Sequence, residues 1–109
     1  APAAALAVPY GYDAVNLNCG CPSESIAGGG NWGAALMLDP PAVGRACATM
    51  STALPPTIPV AVKCRIGAVG RLEDEGTDEQ LFAGLASFIS VVASRAPVRH
   101  LVVHARTAV

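Results

Sequence analysis

The chain contains few charges and few aromatic rings. Of its 109 residues, 14% are charged and 5% are aromatic, and the formal net charge is −1. A chain this close to neutral lacks the basic face that an independent nucleic-acid-binding domain normally presents. The composition leaves nucleic acid open as the substrate of a larger protein that contains this chain.

No hydrophobic run in the chain is long enough to cross a bilayer. Residues 1–10 also lack the basic start of a signal or transit peptide. The first residue is Ala1 and not methionine, which indicates a piece of a longer protein or an incomplete gene sequence. We therefore expect no membrane partner.

The four cysteines do not have the spacing of a disulfide framework or a zinc site. Cys19 and Cys21 are too close for an ordinary disulfide, and Cys47 and Cys64 stand alone in apolar runs. One Cys-x-Cys pair without a second ligand pair is a poor zinc site, so we expect no metal. Reduced thiols indicate an intracellular protein. We expect the cytoplasm, with an organelle as the alternative, and structural roles for every cysteine except Cys21.

Apolar residues, by contrast, are abundant. They make up 52% of a chain whose length allows one small domain at most. Three short apolar runs, bounded by glycine, proline or polar residues, predict β-strands at residues 12–18, 58–66 and 99–104.

Two helices are predicted between these strands. Asp39 followed by Pro40 predicts the start of the first, which runs to about Ala53, and Thr77 or Asp78 caps the second. The alternating order predicts an α/β fold with parallel strands and right-handed crossovers. Two architectures fit: part of a (β/α)8 TIM barrel, with about three parallel strands and two connecting helices, or part of a doubly wound sheet.

Polar side chains collect where the predicted strands end. In chain order these residues are Asn18, Cys21, Lys63, Arg65, His104 and Arg106. In either architecture, ligands meet the carboxyl ends of the strands. Three successive strands that bring polar groups to one rim therefore predict a binding or catalytic site there.

Cys21 is the candidate for chemistry. The alternative is a purely structural thiol, since free cysteine is among the most buried residue types. Its position after a strand favours a nucleophile or a proton donor. Gly20 is expected to allow a close backbone approach there, and Pro22 to stiffen the exit from the strand.

The other rim residues have structural alternatives as well. The amide of Asn18 could be satisfied locally, or it could present donors and an acceptor to a planar heterocycle. An unpaired lysine is costly to bury, so Lys63 is expected to face an anion or an electron-rich cofactor, with Arg65 on the same face. A lone histidine is more often structural, but His104 shares the rim with Arg106, and its imidazole could bond a phosphate or a flavin carbonyl.

Four segments together resemble the tRNA-dihydrouridine synthase family, most closely its A-type branch. In the family's order, they are Asn16–Ser23 (NLNCGCPS), Trp32–Met37 (WGAALM), Val62–Gly67 (VKCRIG) and Val103–Arg106 (VHAR). The resemblance runs from about Gly11 to Arg106, whereas residues 1–10 match poorly. It implies that residues 11–109 are a fragment of a flavin-binding catalytic barrel, from just before its fourth strand to just after its sixth.

The resemblance implies an enzyme that uses flavin mononucleotide (FMN) and NADPH to reduce uridine to 5,6-dihydrouridine in tRNA. By motif match, Cys21 is the proton donor, Lys63 and His104 contact the flavin, and Asn18 contacts the tRNA base. Thr107 departs from the family, which often carries lysine there. Because much of the implied flavin site and the helical domain are missing, we expect this chain alone to be inactive.

Two alternatives remain open at this point. One is a flavin-containing barrel that acts on free pyrimidines or dihydroorotate, since such enzymes share the implied fold and cofactor. The other is a catalytically silent, truncated product that binds tRNA.

Overall fold

The elements of the chain alternate between helix and strand. The computed structural model describes residues 2–22, 32–69 and 74–109. In chain order the elements are helix α1 (Pro2–Ala5), strand β1 (Val15–Cys19), a 3₁₀ helix (Gly33–Leu38), helix α2 (Pro40–Thr52), strand β2 (Val60–Arg65), helix α3 (Asp78–Arg95) and strand β3 (His100–His104).

The three strands form one parallel sheet in the order β1-β2-β3. Helix α2 joins the first pair of strands and helix α3 joins the second, and the two helices contact each other. Each connection is therefore the crossover that parallel strands require. This open sheet with connecting helices confirms the predicted fold class, a partial (β/α)8 barrel.

One face of the sheet is buried against the helices. Side chains alternate between the two faces of a strand, and this face carries Cys19, Val62 and Cys64, all of them without measurable solvent exposure. Opposite them, the helices contribute the buried residues Val43 and Cys47 of α2 and Phe88 and Val92 of α3. This layer is the hydrophobic core.

The other face of the sheet, here called the inner face, is open and mostly polar. Its exposed members are Asn16, Asn18, Lys63, His100, Val102 and His104. In a doubly wound fold, helices cover both faces, and both faces are apolar. A polar inner face instead suits the inside of a barrel that holds a ligand.

Helix starts are fixed by local chemistry, as the sequence predicts. The Asp39 carboxylate accepts a hydrogen bond from the Ala42 N–H, and proline follows the cap. Thr77 and Gln80 form a reciprocal capping box at the start of α3. Both arrangements pair backbone N–H groups that have no partner inside the helix.

Beyond their regular parts, strands β2 and β3 pair again at the rim. Ala68 lies opposite Ala108, the Val69 N–H donates to the Ala108 carbonyl at 3.0 Å, and the Ala108 N–H donates to the Gly67 carbonyl at 2.9 Å. The buried Thr107 hydroxyl donates to the carboxylate of Glu75. The hydroxyl of Thr107 is therefore hydrogen-bonded, at the position where the family often carries lysine.

The isolated 109-residue chain is expected to unfold without a cooperative thermal transition. Within residues 2–22, 32–69 and 74–109, the outer edges of β1 and β3 have no strand partner, and the aliphatic residues Val102 and Val103 of edge strand β3 are 46% and 39% exposed. Circular dichroism and calorimetry would test this, with the complete natural reading frame as the control. A sharp, reversible transition in the isolated chain would contradict the expectation.

Candidate active site

Cys21 lies one residue beyond Gly20, where the chain turns away from the end of β1. The side-chain oxygen of Asn18 accepts the N–H of Gly20 at 2.9 Å and the N–H of Cys21 at 3.2 Å. Asparagine favours such turns because its short side chain can replace a backbone acceptor. The amide oxygen of Asn18 therefore shapes the turn, and its amide nitrogen can donate to a ligand.

Arg65 holds the same turn from the neighbouring strand. Its side-chain Nε–H donates to the Gly20 carbonyl at 2.9 Å, across 45 positions of sequence. Its backbone N–H in turn points at the sulfur of Met37 in the 3₁₀ helix, at 3.4 Å. Arg65 is thus attached to the sheet, the 3₁₀ helix and the thiol-bearing turn at once.

The start of the 3₁₀ helix supplies the third support. The Ala34 N–H donates to the Cys21 carbonyl at 2.8 Å. Gly33 has a φ of +59°, and a Cβ atom there would collide with the Cys21 carbonyl oxygen. Only glycine accepts both the left-handed backbone and this contact.

The expectation of a close backbone approach at Gly20 was wrong. A Cβ atom on Gly20 would have its nearest neighbour at 3.7 Å, which is ordinary van der Waals distance, and its φ is not positive. The close approach lies at Gly33 instead. The segment Trp32–Met37 is one of the four that carry the family resemblance, and the structure places it against the turn at Cys21.

A cavity of about 390 Å³ opens beside Cys21. Cys21 is partly exposed at its edge, and Trp32, which is 65% exposed, lies on the same cavity. The rest of the lining is Pro22, Ala34, Ala35, Leu38, Ala68, Val69, Ala108 and Val109. The cavity beside the Cys21 thiol is therefore mostly apolar. The paired segments at Ala68 and Ala108 form one of its sides.

The remaining candidates lie on the inner face of the sheet. Asn18 is in register with Lys63, and Arg65 is in register with His104, so each pair lies side by side on one face. Lys63 and His104 are exposed there and do not line the cavity next to Cys21. The side chain of Arg106 is exposed at the rim, while its carbonyl pairs with the Ile66 N–H at 3.4 Å.

The charge of the inner face has one sign. Lys63 and Arg65 are cationic, and none of the three strands in the described part of the chain contains an acidic residue. Lysine and arginine offer donors only, and histidine adds at least one more. The donors of Lys63 and His104 therefore fit an electron-rich or anionic ligand such as a flavin with its ring carbonyls and phosphate, whereas the Nε–H of Arg65 is bonded to the Gly20 carbonyl.

The other three thiols are buried in the helix-facing core. Cys19, Cys47 and Cys64 have no solvent exposure, as expected for structural cysteines. Burial raises the pKa of Cys19 from its ordinary 9.0 to about 12, with smaller contributions from Cys47 and Cys64, and raises the pKa of Cys47 to about 11. Burial also raises the pKa of Cys64, against a smaller opposing effect of Lys63. These thiols stay neutral at physiological pH.

No helix in residues 2–22, 32–69 and 74–109 is long and apolar enough to span a membrane. Within the same residues, no group of three or more histidine, cysteine or acidic side chains could hold a metal ion.

A parallel sheet with polar and cationic side chains at its carboxyl rim is the arrangement in which (β/α)8 barrels carry their sites. The family model described as "Dihydrouridine synthase (Dus)" matches residues 1–109, and this range includes residues 1–10. The chain therefore belongs to the dihydrouridine synthase family.

Curated relatives give the same result. The chain is 44% identical over 108 residues to a tRNA-dihydrouridine(20/20a) synthase of Xanthomonas campestris. It is 38% identical over 108 residues to a protein of the same name from Xylella fastidiosa, and 39% identical over 104 residues to a tRNA-dihydrouridine(16) synthase of Shigella flexneri. These alignments cover 99%, 99% and 95% of this chain. The chain spans 29% of the length of each of these relatives.

Alkylation should distinguish Cys21 from the other thiols. In the folded full-length protein at pH 8, iodoacetamide should label Cys21 while Cys19, Cys47 and Cys64 stay protected until urea is added. The pKa of Cys19 is about 12 in the folded chain and 9.0 in the unfolded chain. Its contribution to stability is therefore complete below pH 9.0 and is lost as the pH rises toward 12, because the unfolded state releases the proton first. Peptide mapping should therefore show labelling of the buried thiols that increases as the pH rises from 9.0 toward 12. Equal labelling of all four at pH 8 would contradict the burial.

Substitution of the two glycines should separate their roles. Gly33→Ala should destabilise the full-length protein by at least about 1–2 kcal/mol, the usual cost of a left-handed residue, and should displace the Cys21 carbonyl. Gly20→Ala is the matched control, because its added methyl group meets only ordinary contacts. Urea unfolding of both variants measures the difference. A larger loss for Gly20→Ala would show that the assignment of Gly33 is incorrect.

Proposed function

We propose that the protein carrying this chain reduces uridine to 5,6-dihydrouridine in tRNA, with FMN as cofactor and NADPH as reductant. Family membership and the names of the relatives support the reaction. The observation that carries the proposal is the thiol of Cys21, supported on both sides at the carboxyl end of β1 and adjacent to a cationic inner face.

Lys63 and His104 are the residues that would hold the flavin. Both are exposed on the inner face, on neighbouring strands, and both can donate hydrogen bonds. When bound, FMN reduced by NADPH supplies a hydride to C6 of the uracil ring. Cationic donors on the same face favour the electron-rich ring system and the phosphate of such a cofactor.

Cys21 completes the reduction with a proton. The Sγ–H bond breaks, a C–H bond forms at C5 of the uracil ring, and the thiolate is reprotonated by water. The partial exposure of Cys21 leaves such a route to solvent open. A general acid must be placed within reach of its acceptor atom, and the hydrogen bonds that hold the backbone around Cys21 support such a placement.

The target base would be held by the residues next to the thiol. The amide nitrogen of Asn18 is assigned to the edge of the base, since its oxygen is already engaged with the turn. Arg106, exposed at the rim, is assigned to a phosphate group. A base inside folded tRNA must leave its stack to reach such a site.

The chain itself is proposed to be one part of the working enzyme. Residues 11–109 would form part of the flavin-binding catalytic barrel and residues 1–10 would precede it. We expect the fragment to be inactive alone. All four cysteines are free, which suits the reducing cytoplasm.

Cys21→Ala should remove most of the activity of the full-length protein. Loss of a general acid typically costs 10²–10⁴ in rate, so dihydrouridine formation in unmodified tRNA should fall by about that factor. The variant should still purify with bound flavin, since Cys21 is assigned no flavin contact. Mass spectrometry of digested tRNA and the visible spectrum of the protein measure the two properties.

Cys47→Ala is the matched control, because it removes a fully buried thiol from the helix-facing core. It should lower thermal stability but leave the rate per folded enzyme unchanged. Retained turnover in Cys21→Ala would exclude the proton-donor role. Reduction of free uracil without activity on tRNA would exclude the proposed substrate in favour of free pyrimidines.

A further inference from the structure

The geometry assigns Arg65 the role of a positioning residue that orients the Cys21 thiol through the backbone of the Gly20–Cys21 turn. This inference deepens the proposed function and rests on it for the reaction concerned. The contacts that carry it join one charged side chain to the peptide group directly before Cys21.

The Gly20 carbonyl and the Cys21 N–H belong to one planar peptide group. Arg65 Nε–H donates to the oxygen of this group at 2.9 Å, and the Asn18 oxygen accepts its N–H at 3.2 Å. Both polar atoms of the plane are therefore held, from opposite sides. A plane with both atoms bonded cannot rotate without breaking one of these bonds.

The next peptide group is held as well. Its carbonyl oxygen, on Cys21, accepts the Ala34 N–H at 2.8 Å. The two planes that flank the Cys21 α-carbon are thus both restrained, which determines the direction of its Cα–Cβ bond. Rotation about χ1 is then the main freedom left to the sulfur.

Arginine suits this task better than lysine would. Its guanidinium is planar and always charged, and a charged donor makes a hydrogen bond stronger than a neutral one. The stem of Arg65 also packs on Gly20, with its Cγ atom 3.9 Å from where a Cβ on Gly20 would lie. The backbone N–H of Arg65 donates a hydrogen bond to the sulfur of Met37 at 3.4 Å, which holds the backbone from which the side chain extends.

A positioning role differs from direct flavin binding in its consequences. If Arg65 acts through Gly20, its loss changes the orientation of Cys21 while the flavin contacts at Lys63 and His104 persist. If Arg65 instead binds the flavin, its loss weakens flavin binding and leaves the thiol in place. Flavin affinity and Cys21 reactivity therefore separate the two roles.

The experiment uses Arg65→Lys and Arg65→Ala in the full-length protein. For Arg65→Ala, kcat on tRNA should fall by roughly tenfold to a hundredfold, the size of effect expected from a small misplacement of a reacting group. KM for tRNA and the flavin dissociation constant should stay within about twofold, a margin of roughly 0.4 kcal/mol. Arg65→Lys should fail to restore kcat, and added methylguanidinium should partly restore it in Arg65→Ala.

Alkylation of Cys21 provides the readout that does not depend on tRNA activity. Its rate with iodoacetamide should change severalfold in Arg65→Ala while the melting temperature and the labelling of Cys19 stay unchanged. Arg45→Ala, which removes an exposed arginine from helix α2, is the matched control and should alter neither property.

Three outcomes would overturn the inference. One is loss of flavin binding with unchanged alkylation of Cys21, which makes Arg65 a flavin ligand. Another is a fall in melting temperature that accounts for the whole loss of activity. The third is full activity in Arg65→Ala. If the wild-type protein does not act on tRNA, the proposed function fails, yet a changed alkylation rate would still show that Arg65 orients Cys21.

Discussion

The in-register alternation of side chains across the parallel sheet is the constraint on which the rest of the structure depends. Asn18 and Lys63 are level with each other, and so are Arg65 and His104, so each polar pair faces the same side. A slip of one residue in β2 would turn Lys63 into the helix-facing core and Val62 out of it. An unpaired buried charge is costly, so burial and charge specify the same register.

That register also brings the functional rim together. Strand β1 delivers the thiol-bearing turn and β2 ends level with it, so Arg65 can reach the Gly20 carbonyl directly. The 3₁₀ helix closes the other side through Ala34. Cys21 is thereby supported by three separate elements. For the proton-donor role proposed for Cys21, a fixed direction matters more than an unusual environment, and these contacts support such a direction.

Much of the fold could be predicted because its signals are local. Helix α2 begins at Pro40 behind the Asp39 cap, and Thr77 caps α3, since each cap is a contact between residues three positions apart. The strands follow from short apolar runs, and their bounds in the structure differ from the predicted bounds by at most three residues. Helix α1 and the 3₁₀ helix were not predicted, because pieces of four and six residues are too short to show a period.

The sequence by itself determined the order of the elements, the caps of the helices and the collection of polar residues at one rim. It also determined the family, through four short segments that lie in order. Only the tertiary structure decided that Gly33, and not Gly20, makes the close approach to the Cys21 turn, and that Arg65 bonds to that turn. The physical reason is the separation in sequence. Helix caps and periodic apolar faces depend on residues a few positions apart, whereas the contacts of Gly33 and Arg65 with the Cys21 turn join residues that only the packing of the chain brings together.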